Sequence, residues 1–110
     1  MRIGIIGLGL IGGSIAKTLK KVHAQNSYII GYDTDSISCA KALADGAIDH
    51  IAVEIGEDFL DCNVIFICTP VSSITKVASQ LLPYVSKDCI LTDIGSTKQA
   101  TVEKLGHLIA

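Results

Sequence analysis

The segment from Arg2 to Ala16 constrains the fold most, because it joins an apolar run to a helical pattern through closely spaced glycines. The β-branched run from Ile3 to Ile6 predicts a strand. After the glycines, apolar residues recur at helical spacing, at Ile11, Ile15, Leu19 and Val22. The segment therefore predicts a strand, a tight turn and a helix, in that order.

The turn carries Gly7, Gly9 and Gly12 in the pattern G-x-G-x-x-G. Gly7 permits the tight turn, Gly9 lets the backbone approach a pyrophosphate, and Gly12 lets the helix pack closely on the strand. The phosphates would be bound by the free N–H groups at the helix start, where the helix dipole favours negative charge. A glycine-rich turn that binds nothing is the alternative.

An acidic residue follows the next predicted strand, Tyr28 to Tyr32, at Asp33. Asp33 lies 33 − 12 = 21 residues after Gly12, near the offset at which a carboxylate meets the adenosine ribose hydroxyls. Thr34 and Asp35 follow it with no arginine nearby, so the site favours NAD over NADP. The alternative is that Asp33 serves only a turn or a helix cap.

The rest of the chain alternates helical patterns with apolar runs. A second helix follows, with Asp35 or Ser36 as its cap, Gly46 as its stop, and an apolar stripe at Ile37, Ala40, Ala44 and Ala47. Residues 48–53 predict a short third strand, and Asn63 to Thr69 a buried fourth strand that Pro70 closes. A third helix follows, capped by Ser72 or Ser73 and stopped near Pro83, with a stripe at Ile74, Val77, Leu81 and Val85. Cys89 to Asp93 predicts the fifth strand, and Val102, Leu105 and Ile109 mark a last helix.

This alternation predicts an α/β protein with a Rossmann-type, doubly wound, open parallel sheet of strand order 3-2-1-4-5. We expect residues 1–110 to form one domain. The carboxyl ends of the strands would bring the glycine turn, Asp33, Thr69 to Val71 and the Gly95-Ser96 turn to one crevice, where ligands bind in such sheets.

Composition excludes several classes of partner. A formal net charge of −2 with scattered lysines indicates neither nucleic acid nor a membrane surface as a partner. No apolar stretch approaches about 20 residues, and no secretory signal is recognised, so we expect a cytoplasmic protein. The spacing of Cys39, Cys62, Cys68 and Cys89 fits no zinc site. We expect reduced thiols, with Cys68 and Cys89 in central strands.

Four segments together resemble the N-terminal domain of the prephenate and arogenate dehydrogenase family: Gly7-Leu-Gly-Leu-Ile-Gly-Gly-Ser14, Gly31-Tyr-Asp33, Cys68-Thr-Pro-Val71 and Thr92-Asp-Ile-Gly-Ser-Thr-Lys98. The resemblance covers essentially the whole chain. It implies an NAD-linked oxidative decarboxylation of prephenate to 4-hydroxyphenylpyruvate, in tyrosine biosynthesis. Arogenate is the alternative substrate, and the full-length protein would be a homodimer.

The resemblance also assigns roles to residues. Gly7, Leu8, Gly9, Leu10 and Ile11 match the pyrophosphate loop, Asp33 matches the ribose-binding acid, and Thr69, Pro70 and Val71 match the loop beside the nicotinamide half. Ser96 matches the catalytic-site serine that positions the substrate hydroxyl. Because Ser96 to Gln99 is also a capping box, Ser96 could instead serve only the last helix.

The family's catalytic histidine has no match here, since His23, His50 and His107 all fall away from the predicted carboxyl ends of the strands. The resemblance implies that this histidine, the substrate-binding arginines and a helical dimerisation domain lie beyond residue 110. We therefore expect a fragment that binds NAD without turnover. Two alternatives stay open: another NAD(P)-dependent dehydrogenase or reductase of small acids or imines, and a non-catalytic NAD-sensing module.

Overall fold

Five parallel strands form the centre of the computed structural model, which describes residues 1–22 and 26–93. The strands are β1 (Arg2–Ile6), β2 (Tyr28–Tyr32), β3 (His50–Ile51), β4 (Val64–Ile67) and β5 (Ile90–Asp93). They form one sheet in the order β3-β2-β1-β4-β5, and each neighbouring pair is parallel. The predicted fold and strand order are confirmed.

Helices cover both faces of this sheet. They are α1 (Leu10–Val22), α2 (Ser36–Ala44) and α3 (Val71–Leu81), with a short 3-10 turn at Glu57–Phe59. Ala16 of α1 and Ala42 of α2 pack with Ile5 in one core cluster. Phe59 of the 3-10 turn and Leu81 of α3 pack with Ile65 in a second cluster. The sheet is therefore doubly wound, as predicted.

The buried face of α1 differs from the predicted stripe. Gly12, Ala16 and Leu19 are buried, whereas Ile11 and Val22 are 52% and 66% exposed. The close approach of Gly12 to the turn below it fixes which side of the helix meets the sheet. Ile11, one residue earlier, is rotated by about 100° and leaves that contact.

The ends of α2 follow the prediction, but its buried face does not. The Asp35 carboxylate accepts a hydrogen bond from Ile37 N–H at 3.0 Å and caps the helix. Gly46, at φ +74°, follows its end in the left-handed conformation typical of a helix stop. The helix buries Cys39 and Ala42, while Ile37 is 76% exposed.

Two local predictions are wrong. Pro70 occupies the N-cap of α3, with no side-chain hydrogen bond to the helix, so neither Ser72 nor Ser73 caps it. The helix therefore begins at Val71, two residues before the start that a Ser72 cap would give, and it follows a proline whose φ is fixed near the helical value. Cys68 follows β4 and Cys89 precedes β5, so neither lies in a strand. The short third strand predicted within residues 48–53 is present as the two-residue β3, which pairs with β2.

The predicted last helix, with Val102, Leu105 and Ile109, lies outside the described residues. Within residues 1–22 and 26–93, no helix has the length and apolar character needed to cross a membrane.

Candidate functional site

A cleft of about 610 Å³ opens at the carboxyl ends of the strands. It brings together five residues predicted to bind a cofactor, which are Gly7, Gly9, Asp33, Thr69 and Pro70. The other residues that line it are Ile6, Tyr32, Thr34, Glu54, Ile55, Cys68, Ser73, Lys76, Val77 and Gln80. The predicted convergence of the glycine turn, the β2 end and the β4 end therefore occurs in the fold.

Two of the three motif glycines are required by the fold itself. Gly7 has φ +98°, and a Cβ added there would lie 2.8 Å from the Cys68 carbonyl oxygen. A Cβ added at Gly12 would overlap the Gly7 carbonyl oxygen. Any side chain at either position would push the turn away from β4 or from α1.

No contact within the described protein requires a glycine at position 9. A Cβ added at Gly9 would meet no atom within 4 Å, and its φ lies outside the left-handed range. The residue is exposed and lines the cleft. The space that a side chain would fill is therefore open to a ligand, which is the geometry that the pyrophosphate role requires.

The start of α1, next to the cleft residue Gly9, carries backbone N–H groups that lie outside the helical ladder. The first hydrogen bond of the helix runs from Gly13 N–H to the Gly9 carbonyl at 2.9 Å, so the N–H groups of residues 9–12 precede the helical ladder. Two earlier donors are already used, because Gly7 N–H donates to the Tyr32 carbonyl at 2.8 Å and Leu8 N–H donates to Asp33 Oδ2 at 2.7 Å. The side chain of Leu8 is buried and packs in the first core cluster.

Asp33 ties β2 to the glycine turn. Its Oδ2 accepts the hydrogen bond from Leu8 N–H, and its Oδ1 accepts one from Asp35 N–H at 2.9 Å. The structural alternative for Asp33 is thus partly correct, since the carboxylate stabilises the turn after β2. Each carboxylate oxygen can accept a second hydrogen bond, so the half-buried side chain can still receive ribose hydroxyls.

The loop after β4 presents an unsatisfied polar atom. The Thr69 hydroxyl oxygen is buried and has no hydrogen-bond partner among the described residues. Such groups normally have a partner, since leaving one unpaired costs about 1–3 kcal/mol. Pro70 is exposed on the cleft, and Val71 begins α3. A bound ligand is one source of the missing partner for Thr69.

One face of α3 forms a wall of the cleft that the sequence analysis did not identify. Ser73, Lys76 and Gln80 recur at helical spacing along it, and Glu54 lies in the loop after β3. The side chain of Lys76 lines the cleft and is positively charged, whereas no lysine or arginine is adjacent to Asp33 in sequence. The polar stripe at positions 73, 76 and 80, directly after Thr-Pro, was the available signal.

Two residue types that often transfer protons, cysteine and histidine, offer no such group in the described cleft. Burial raises the pKa of Cys68 to about 12, so this thiol stays protonated. His50 lies in β3 with its Nε2 3.8 Å from Asp58 Oδ1, and no histidine lines the cleft in residues 1–22 and 26–93. His23, His107 and the predicted Ser96 lie outside the described residues. The described part can bind and orient a ligand.

One family of known proteins matches most of this chain. Residues 15–110 match the family model described as prephenate dehydrogenase, nucleotide-binding domain. A prephenate dehydrogenase of Lactococcus lactis subsp. cremoris is 36% identical over 110 residues, which cover 99% of this chain and 30% of that protein. The chain spans about a third of the length of the curated relatives it matches.

Two solved structures are similar over the whole chain. Prephenate dehydrogenase from A. aeolicus, in complex with hydroxyphenyl propionate and NAD+, has a TM-score of 0.81 and 32% identity, with 100% of this chain and 38% of that chain covered. Synechocystis arogenate dehydrogenase has a TM-score of 0.80 and 33% identity, with the same coverage of 100% and 38%. The chain therefore belongs to the family of prephenate dehydrogenase nucleotide-binding domains.

Proposed function

We propose that residues 1–110 are the NAD-binding domain of an enzyme that converts prephenate to 4-hydroxyphenylpyruvate by oxidative decarboxylation. The observation that carries the cofactor part is the open space at Gly9, in the same cleft as Asp33 and the unpaired Thr69 hydroxyl. Family membership and the NAD+ named in the A. aeolicus structure support the choice of cofactor and reaction.

Each part of the cleft has a proposed role toward NAD. The N–H groups of residues 9–12 donate to the pyrophosphate oxygens at the positive end of α1. Asp33 accepts hydrogen bonds from the adenosine ribose, and its charge disfavours the 2′-phosphate of NADP. Thr69, Pro70 and Val71 border the nicotinamide half, where the Thr69 hydroxyl gains its missing partner.

Bound NAD would supply the acceptor for the hydride of the ring carbon that bears the substrate hydroxyl. The protein has to hold that carbon against the cofactor and place a base within hydrogen-bond reach of the hydroxyl. The resulting ketone lets the ring carboxylate leave as carbon dioxide while the ring becomes aromatic. We assign Ser96 to positioning the substrate hydroxyl, and the base and the carboxylate-binding arginines to the part of the full-length protein beyond residue 110.

The remaining proposals concern the full-length protein. We propose a cytoplasmic homodimer that takes prephenate, with arogenate as the alternative substrate, and that binds neither nucleic acid nor membrane. The names of the A. aeolicus and Synechocystis relatives support these two substrates.

The test is to measure NADH formation by the complete protein with prephenate and, separately, with arogenate. We expect turnover with at least one substrate, and NAD binding without turnover from residues 1–110 alone. Turnover by residues 1–110 would refute the assignment of the base to the remainder of the protein.

A non-catalytic NAD-sensing module is the second candidate. The observation that favours it is the absence of a histidine among the described residues that line the cleft. A complete protein that binds NAD but oxidises neither of these substrates, nor other small acids or imines, would favour this function instead.

A further inference from the structure

Two cysteines lie near each other at the amino ends of β4 and β5, whereas the cleft lies at the carboxyl ends of the strands. Cys62 lies two residues before β4, and Cys89 immediately precedes β5. These strands are parallel neighbours in which Val64 pairs with Ile90, so Cys89 falls opposite Asn63, next to Cys62. The Ile90 N–H donates to the Asn63 carbonyl at 3.0 Å and extends the pairing to this point.

The spacing suits a covalent link between the two side chains. Neighbouring strands of a sheet lie about 4.8 Å apart, and disulfides typically join Cα atoms about 4.4–6.8 Å apart. Because β4 and β5 are neighbours and the two cysteines line one pocket, the site is compatible with a link between them.

Both side chains also lie on the same face of the sheet. Cys62 is 3% exposed and belongs to the second core cluster, against which the half-buried Cys89 packs. The two residues line one pocket of about 280 Å³, together with Asp61 and Asp88. The other cysteines, Cys39 and Cys68, belong to the cluster on the opposite face.

We propose that Cys62 and Cys89 form a dithiol site that closes to an intramolecular disulfide by exchange with a small disulfide such as oxidised glutathione. The Cys89 thiolate, which is the more exposed, attacks one glutathione sulfur and releases one glutathione thiolate. The Cys62 thiolate then attacks Cys89 Sγ and releases the second. Two protein thiols are oxidised, one glutathione disulfide is reduced, and the two protons pass to the glutathione thiolates.

The surroundings make this exchange slow near neutral pH. Burial raises the pKa of Cys89 and raises that of Cys62 to about 12. The neighbouring Cys89 and Asp61 also raise the pKa of Cys62, while Arg2 opposes them. Since only the thiolate reacts, the exchange is best followed at about pH 9, where more thiolate is present.

The experiment treats the complete protein with oxidised glutathione and counts free thiols in the unfolded product. We expect the thiols of residues 1–110 to fall from four to two, with peptide mapping linking the segments that carry positions 62 and 89. The oxidised protein should melt roughly 10 °C above the reduced one, because the link restricts the unfolded chain. NAD affinity should not change, because the two cysteines lie at the amino ends of the strands and the cleft lies at their carboxyl ends.

Single substitutions identify the partners. Cys62→Ala and Cys89→Ala should each abolish the intramolecular link, while the matched control Cys39→Ala should form it at the rate of the unmodified protein. Since Cys89 is half-buried, its variant keeps the test available if Cys62→Ala fails to fold. Four unchanged thiols, a stable mixed disulfide at Cys89, a link that includes Cys68, or a link between two chains would each overturn the proposal.

Discussion

Replacing Gly9 with alanine separates the demands of a bound cofactor from the demands of the fold. The added methyl group would meet no protein atom within 4 Å, and the backbone at Gly9 is accessible to alanine. A phosphate oxygen that accepts a hydrogen bond from this turn would approach the nitrogen to about 2.9 Å. The methyl group would occupy part of the space through which that oxygen approaches.

The expected magnitudes differ for stability and for binding. Alanine gains about 0.4–1 kcal/mol by restricting the unfolded chain, but it is a poorer N-cap than glycine. The free energy of unfolding should therefore stay within about 1 kcal/mol of the unmodified value. NAD affinity should fall at least tenfold, which is about 1.4 kcal/mol.

Two other glycines provide matched controls. Gly12→Ala forces a side chain against the Gly7 carbonyl and should cost about 1–3 kcal/mol of stability, together with NAD affinity. Gly46→Ala places alanine at φ +74°, at a residue that does not line the cleft, and should cost about 1 kcal/mol without changing NAD affinity. Urea denaturation and calorimetric titration measure the two quantities. A Gly9→Ala variant that binds NAD as tightly as the unmodified chain would refute the role of this glycine.

Three further changes test other parts of the site. Asp33→Asn removes a charge and one acceptor, so calorimetry should show NAD affinity falling about tenfold and the preference over NADP shrinking; unchanged rejection of NADP would contradict this. Thr69→Val removes an unpaired buried hydroxyl, so denaturation should show equal or greater stability while NAD binding weakens; a loss of stability would indicate an internal partner. The pKa of Cys68 is raised from 9.0 to about 12 by burial, so its stabilising effect is complete below about pH 9 and is lost as the pH rises towards 12. At about pH 10.5 this lowers the free energy of unfolding by about 2 kcal/mol. Urea denaturation of Cys68→Ala should therefore show a smaller fall in stability between about pH 9 and about pH 10.5 than the unmodified protein shows. An equal fall in both proteins would contradict this.

Much of the fold was predictable because its main determinants are local in sequence. The run from Ile3 to Ile6, the glycines after it and the apolar run before Pro70 each specify an element, and parallel connectivity then fixes the strand order. Which helix face is buried was less predictable. Ile11 and Ile37 are exposed because the close contact at Gly12 and the capping at Asp35 set the orientation of their helices.

The candidate site was predictable where one segment carries the chemistry, as in the glycine turn and Asp33. The contribution of α3 was not, because Lys76 lies 43 residues after Asp33, by subtraction of their positions, and reaches the same cleft only through the sheet topology. The hydrogen bond from Leu8 N–H to Asp33 could not be predicted either, since spacing along the chain does not reveal which backbone donors already have partners.

Chemical-shift mapping of backbone amides during an NAD titration tests the central claim most directly. We predict saturable changes that are largest at the N–H groups of residues 9–12, at Asp33 and at Thr69. The groove between α1 and α2 shares Gly9 and Leu10 with the turn, so the residues expected to change least are others that line it, Lys17, Lys41 and Asp45. Saturable changes centred on Lys17, Lys41 and Asp45, or no saturable change anywhere, would contradict the assignment of the cleft as the NAD site.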